Sequence, residues 1–143
     1  LETNASIAET TSDVSFSLGS TVIETPRKVG LGWIDALANY ASVSAEGINQ
    51  VRVPVYSLTI NDDTVVWAAP LELFSEIALN IRAASPFANT FYFGLTNGSL
   101  LYMPTKVAFA EGGYEPNVSP FTDQAEADFT AGVSAHLKAL ESR

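Results

Sequence analysis

Cysteine is absent from this chain, histidine occurs once (His136), and only seven of the 143 residues are basic. Without cysteine there is no disulfide framework, no thiolate metal site and no thiol nucleophile, and the usual clue to redox compartment is missing. Seven bases against sixteen acids give a net charge of −9. That balance speaks against nucleic acid, whose binding draws most of its affinity from a basic face. It also speaks against electrostatic docking on anionic membranes. No apolar run approaches the roughly 18 residues that a transmembrane segment needs. A catalytic zinc normally takes three protein ligands, mostly imidazole, and His136 alone cannot furnish them. Any zinc site here must be completed from outside residues 1–143.

Familiar site motifs are missing too. There is no G-x-S-x-G elbow, no P-loop and no G-x-G-x-x-G. Glu111-Gly112-Gly113 lacks the lysine and the Ser/Thr of a phosphate loop. Asp62-Asp63 lacks EF-hand spacing and reads as a hairpin turn. His136 beside the stripe of the last helix reads as an ordinary, partly exposed residue that favours a helix C-terminus.

What is present is largely apolar. Hydrophobic residues make up 47% of the chain and charged residues 16%, against a usual charged share of about 25%. Such a composition fits an apolar globule, or a chain part of whose surface is covered by another chain or domain. The length suffices for one domain with a real core. The chain starts at Leu1 with neither Met nor signal peptide, as a processed or recombinant product would. Sequons at Asn4, Asn97 and Asn117 favour a secreted protein, and the expected location is secreted or periplasmic.

Along the chain, residues 1–11 are small, polar and acidic and read as a flexible arm. Asp13 to Leu18 alternates, with Val14, Phe16 and Leu18 on one face, as in a half-buried strand. Ser20 to Val29 is a second strand interrupted by Pro26. Trp33, Ile34, Leu37 and Tyr40 follow a short helical spacing. Gln50 to Ile60, demoted in part by Pro54, and Thr64 to Ala69 flank Asn61-Asp62-Asp63 as a hairpin. Pro70 stops the strand, and a helix is predicted from about Glu72 to Ala84 with Phe74, Ile77, Ala78 and Ile81 inward. Thr90 to Leu95 is a continuous apolar run, predicted as a central strand buried on both faces. Pro104-Thr105 opens a short helix through Ala110, Glu111-Gly112-Gly113 turns into Tyr114, and Asn117 to Pro120 is a loop. Asp123 with Glu126 forms a capping-box-like start to a last helix, striped by Phe129, Val133, Leu137 and Leu140. The predicted fold is α/β, a mixed β-sheet layered with helices and one part of a larger layered α/β domain.

One stretch points to a specific chemistry. Pro70-Leu71-Glu72 heads an amphipathic run. About twenty residues later come an apolar strand, the loop Asn97-Gly98-Ser99, Tyr102, and then Tyr114-Glu115 twelve residues further on. This order resembles the C-terminal part of the catalytic domain of neutral/alkaline non-lysosomal ceramidases and their bacterial relatives. The similarity is close from Trp67 to Glu115, loose from Val51 to Val66 and faint from Asp123 onward, and residues 1–48 are not placed. In that family a Pro-Gly-Glu turn and an Asn-x-Tyr-x-x-Tyr loop bring a carboxylate and a phenol to one zinc ion.

The resemblance implies that residues 12–143 are the C-terminal segment of a ceramidase-like catalytic domain. It makes Glu72 and Tyr102 zinc ligands and Tyr114 the donor to the scissile carbonyl oxygen, since a phenol donates well to a developing oxyanion. It implies a zinc cofactor, an N-acyl lipid or other amide substrate, and a partner segment carrying the family's two zinc histidines, which lie upstream of the matching region. The chain departs from the pattern at Leu71, where the family has Gly, and at Ser99, where it has the first tyrosine. Read without the resemblance, Glu72 is a helix N-terminal acid stabilised by the dipole rather than a ligand. Tyr102 and Tyr114 are then core or rim aromatics. On that reading the chain is a non-catalytic interaction or structural module.

Overall fold

The computed structural model describes residues 14–30 and 34–141, so the expected arm at residues 1–11 and Trp33 lie outside the described residues. Strand β1 runs Phe16–Pro26 and pairs antiparallel with β3, Asn49–Ile60. A 3-10 helix, Ile34–Tyr40, leads into β2, Ala41–Val43, which joins the other side of β3. The turn after β3, with Asn61 at φ 52°, returns the chain as β4, Thr64–Ala68. Helix α1, Ser75–Ala84, then crosses over to β6, Asn89–Phe93, parallel to β4. The sheet order is β1-β3-β4-β6.

Helix α4, Ala125–Glu141, packs with α1 on one face of this sheet. The core lies between them. Val51, Val53, Val55, Val65 and Trp67 point in from the strands, Ile77 and Ile81 from α1, and Phe129, Val133 and Leu137 from α4. The period-3.6 pattern therefore names the buried residues Ile77 and Ile81 of α1 and Phe129, Val133 and Leu137 of α4 correctly. Gly132 lets α4 approach β1, because a Cβ there would lie 2.7 Å from Ile23 Cγ1. Thr25 donates to Asp128 at 2.8 Å, and Ser57 Oγ meets His136 Nε2 at 3.0 Å. His136 thus satisfies a buried strand hydroxyl, a role its position beside the stripe did not reveal.

Several expectations are corrected. The two predicted N-terminal strands are one, and Val14, Phe16 and Leu18 face outward, because the helices lie on the other side of the sheet. Pro54 does not break β3. It sits where β2 has ended, opposite Val51, and β4 has not begun, opposite Tyr56. A residue without an N–H can stand in that gap. The Thr90–Leu95 run is an edge strand, not a central one, and Phe91, Phe93 and Leu95 are exposed. The predicted capping box at Asp123 does not form, since Glu126 accepts instead from the Lys106 backbone N–H at 2.6 Å. The helix predicted from Glu72 starts only at Ser75, and Glu72–Leu73 form a short strand, β5. Asn117 and Val118 belong to a helical turn, not a loop.

Candidate functional site

Strand β5 pairs in parallel with β7, Tyr102–Met103, and Glu72 stands directly opposite Tyr102. Neighbouring strands lie about 4.8 Å apart and paired residues project to the same side, so this register sets the carboxylate beside the phenol. The pairing is stitched on both flanks. Glu72 N–H donates to the Leu101 carbonyl at 3.0 Å, and Phe74 N–H to the Met103 carbonyl at 3.2 Å.

The loop from Gly94 to Leu101 is laid along the turn that carries Glu72. Leu95 N–H reaches the Leu71 carbonyl at 3.2 Å, Thr96 N–H the Ala69 carbonyl at 3.2 Å, and Leu100 N–H the Pro70 carbonyl at 2.6 Å. Leu100 is fully buried and anchors the loop. Leu95, Asn97 and Leu101 adopt φ of 52°, 58° and 60°. For leucine that is a strained conformation, kept only where surrounding contacts over-determine it. Leu101 links the buried anchor to Tyr102.

From below, Tyr92 holds the same turn. Its ring lies 4.4 Å from that of Trp67, and its hydroxyl donates to the Leu71 carbonyl at 2.9 Å. Burial pushes the Tyr92 phenol well above the usual tyrosine range. Leu71 is itself fully buried and does not have a positive φ. The turn therefore does not require glycine, and the departure from Pro-Gly-Glu fills the core.

After β7, Thr105 caps α2, Lys106–Glu111, by accepting from Ala108 N–H at 3.1 Å. Gly112 and Gly113, at φ 79° and 118°, then reverse the chain into α3, Tyr114–Val118. Lys28 on the segment after β1 pins this unit. Its ammonium donates to the Pro116 carbonyl and lies 5.2 Å from the Phe109 ring centroid, and burial lowers its pKa. The result is an edge-on contact of Tyr114 with Tyr102, ring centroids 6.1 Å apart at 73°.

Glu72, Tyr102 and Tyr114, selected in the sequence, thus meet at one place. The Tyr102 phenol is raised from its ordinary pKa, first by its hydrogen bond to the Glu72 carboxylate and by that group's charge, then by slight desolvation and the neighbouring Tyr114 and Glu115. Glu115 is the member sequence reasoning left out of the site, and its adjacency in the Tyr-Glu pair was the available signal. Ser99, at the position of the missing first tyrosine, is exposed, and its Oγ accepts from Leu101 N–H at 3.4 Å. The cluster lies open to solvent on the Tyr114 side, where that ring is 67% exposed. Among the described residues, no three His, Cys, Asp or Glu side chains gather into a metal-binding group, and His136 is engaged with Ser57 in the core. No described helix is long and apolar enough to cross a membrane.

No family model and no curated protein sequence matches the chain. Two solved structures are similar in fold. One is the neutral ceramidase from Pseudomonas aeruginosa, with a TM-score of 0.57 at 20% identity, covering 65% of this chain and 16% of that one. The other, a ceramidase complexed with C2, has the same TM-score and identity, covering 65% of this chain and 15% of its own. The chain is therefore an α/β unit with a mixed sheet, and it resembles a small part of a larger ceramidase structure.

Proposed function

We propose that residues 12–143 form the C-terminal segment of a zinc-dependent amide hydrolase domain, inactive alone and completed by a histidine-bearing segment outside residues 1–143. The observation that carries this reading is the pairing of Glu72 with Tyr102 across β5 and β7, which sets a carboxylate beside a phenol whose pKa it raises. This donor set fits part of a zinc site, since carboxylate oxygen is an accepted zinc ligand and the missing imidazoles are those a catalytic site takes in addition. Zinc held there would supply Lewis acidity, polarising a carbonyl and lowering the pKa of bound water towards neutrality.

This chain's own residues then have distinct tasks. Glu72 and Tyr102 would hold the metal from a backbone fixed by the β5–β7 pairing. Tyr114, lying against Tyr102 and open to solvent, donates its hydroxyl proton in a hydrogen bond to the substrate carbonyl oxygen as negative charge builds there. The substrate class is an N-acyl amide, ceramide-like in the family this stretch resembles.

Metal analysis of the complete gene product tests the proposal. One equivalent of zinc is expected in the wild type and clear loss in Glu72→Ala and Tyr102→Phe with unchanged circular dichroism. Full zinc occupancy in both variants would refute it. A second reading, a structural or interaction module that keeps the fold without metal, is favoured by Ser99, exposed where the family pattern has its first tyrosine. A zinc-free complete protein is its signature.

A further inference from the structure

The strand residues that point away from α1 and α4 make a second apolar face, and no described element covers it. Phe16, Leu18 and Val22 on β1 are 66%, 79% and 46% exposed, Tyr56 on β3 is 37% exposed, and Phe91 and Phe93 on β6 are 49% and 58% exposed. The register sets them in one continuous patch. Leu18 faces Leu58, Leu58 faces Val66, Val66 faces Phe91 and Ala68 faces Phe93. Within the paired strands the charges on this face are Glu24 and Arg52, which meet at 3.3 Å near one end. Neither edge strand carries the lysines that blunt an exposed edge.

We propose that this face is an internal interface, covered by a charge-poor apolar layer from polypeptide outside residues 1–143 of the same fold. Its size lies at the upper end of what a free monomer exposes. The six residues expose roughly 600 Å² of apolar surface, taking about 200 Å² for a whole aromatic side chain. The largest patch on a typical monomer is about 300–600 Å². One side of a standard interface is about 800 Å², roughly 65% apolar at its core. The patterning agrees. β3 is apolar at Val51, Val53 and Val55 inward and at Pro54, Leu58 and Ile60 outward, the mark of a strand buried on both faces. Room for the layer is expected, because the matching 65% of this chain covers 16% of the ceramidase it resembles. A second copy would instead bring two chains of net charge −9 together. The inference rests on the chain being part of a larger fold, and it requires neither zinc nor catalysis.

Thiol labelling tests it, in the complete gene product. Ser20→Cys, which changes one atom on an exposed position of this face, and Phe91→Cys are made separately. Each is treated with a soluble maleimide in native buffer and in guanidinium, and modification is located by peptide mass mapping. Native labelling at both positions should be at least roughly 100-fold slower than in guanidinium, as for sites reached only by local opening. That protection should persist on tenfold dilution and without lipid. Native rates within about tenfold of the denatured ones would overturn the proposal. So would protection that disappears on dilution, which assigns the face to a second copy. Protection seen only with phosphatidylcholine vesicles would assign it to a lipid surface and would overturn the proposal equally. A protected face in a zinc-free protein leaves this inference standing while the zinc reading fails.

Discussion

Replacing Tyr92 with Phe removes one hydroxyl beneath the candidate site and leaves the ring in place against Trp67, 4.4 Å away. The lost bond runs to the Leu71 carbonyl at 2.9 Å, but that carbonyl also accepts from Leu95 N–H at 3.2 Å. No acceptor is orphaned, so the cost should lie near the low end of a hydrogen bond's net worth, about 0.5–1 kcal/mol. At neutral pH this lowers Tm by roughly 2–4 °C per kcal/mol for a domain near this size.

The sign then changes with pH. Burial raises the Tyr92 pKa in the folded protein, so the contribution is complete below the unfolded value of about 10 and declines above it. The unfolded wild type gives up a proton that the folded protein retains, costing up to about 1.4 kcal/mol per pH unit above about pH 10. The variant has no such term, and the raised pKa of Tyr102 is common to both proteins and cancels. The stability gap should therefore close, and then reverse, by about pH 11. Urea unfolding followed by tryptophan fluorescence at several pH values measures it. A gap that stays constant from about pH 8 to about pH 11 would show that the Tyr92 phenol ionises freely in the folded state, and would refute the reasoning.

Three further outcomes follow from the site. Tyr114→Phe in the complete protein should lower kcat by roughly 10²–10³-fold, the usual loss for one oxyanion donor, with KM little changed; full turnover on an authentic amide substrate would return Tyr114 to a rim aromatic. Leu100→Ala should cost about 2–5 kcal/mol in urea unfolding, as a fully buried leucine does, and a loss near zero would mean that this residue does not anchor the loop. Gly98→Ala should disorder the Asn97–Leu101 loop, because Gly98 has φ 147° and a Cβ there would lie 2.5 Å from the Tyr40 hydroxyl; hydrogen exchange at Glu72 and Leu100 N–H should accelerate, and unchanged exchange would contradict the loop's role.

The inner residues of α1 and α4 were legible because period and face agree for Ile77, Ile81, Phe129 and Val133. The face of β1 was not. Alternation locates an apolar side but cannot say which side the helices take, and β1 has apolar residues on both. The same ambiguity misplaced Thr90–Leu95, whose apolar run suits a strand buried on both faces although the described residues cover one of them. Glu72 was singled out by resemblance, but its place in a strand was not legible. Its partner lies thirty positions away at Tyr102, and a two-residue parallel pairing leaves no periodic signal. The strap that fixes it consists of backbone bonds from Leu95, Thr96 and Leu100, which side-chain pattern does not encode.

The central claim is that Glu72 and Tyr102 serve one metal ion. The most direct measurement is a crystal structure of the complete gene product grown with zinc, the ion located by anomalous scattering. The account predicts both side-chain oxygens at about 2.0–2.2 Å from a single zinc, the usual zinc–oxygen range, with imidazoles from outside residues 1–143 completing the site. A zinc ion bound elsewhere, with the Tyr102 phenol still donating to the Glu72 carboxylate, would contradict it.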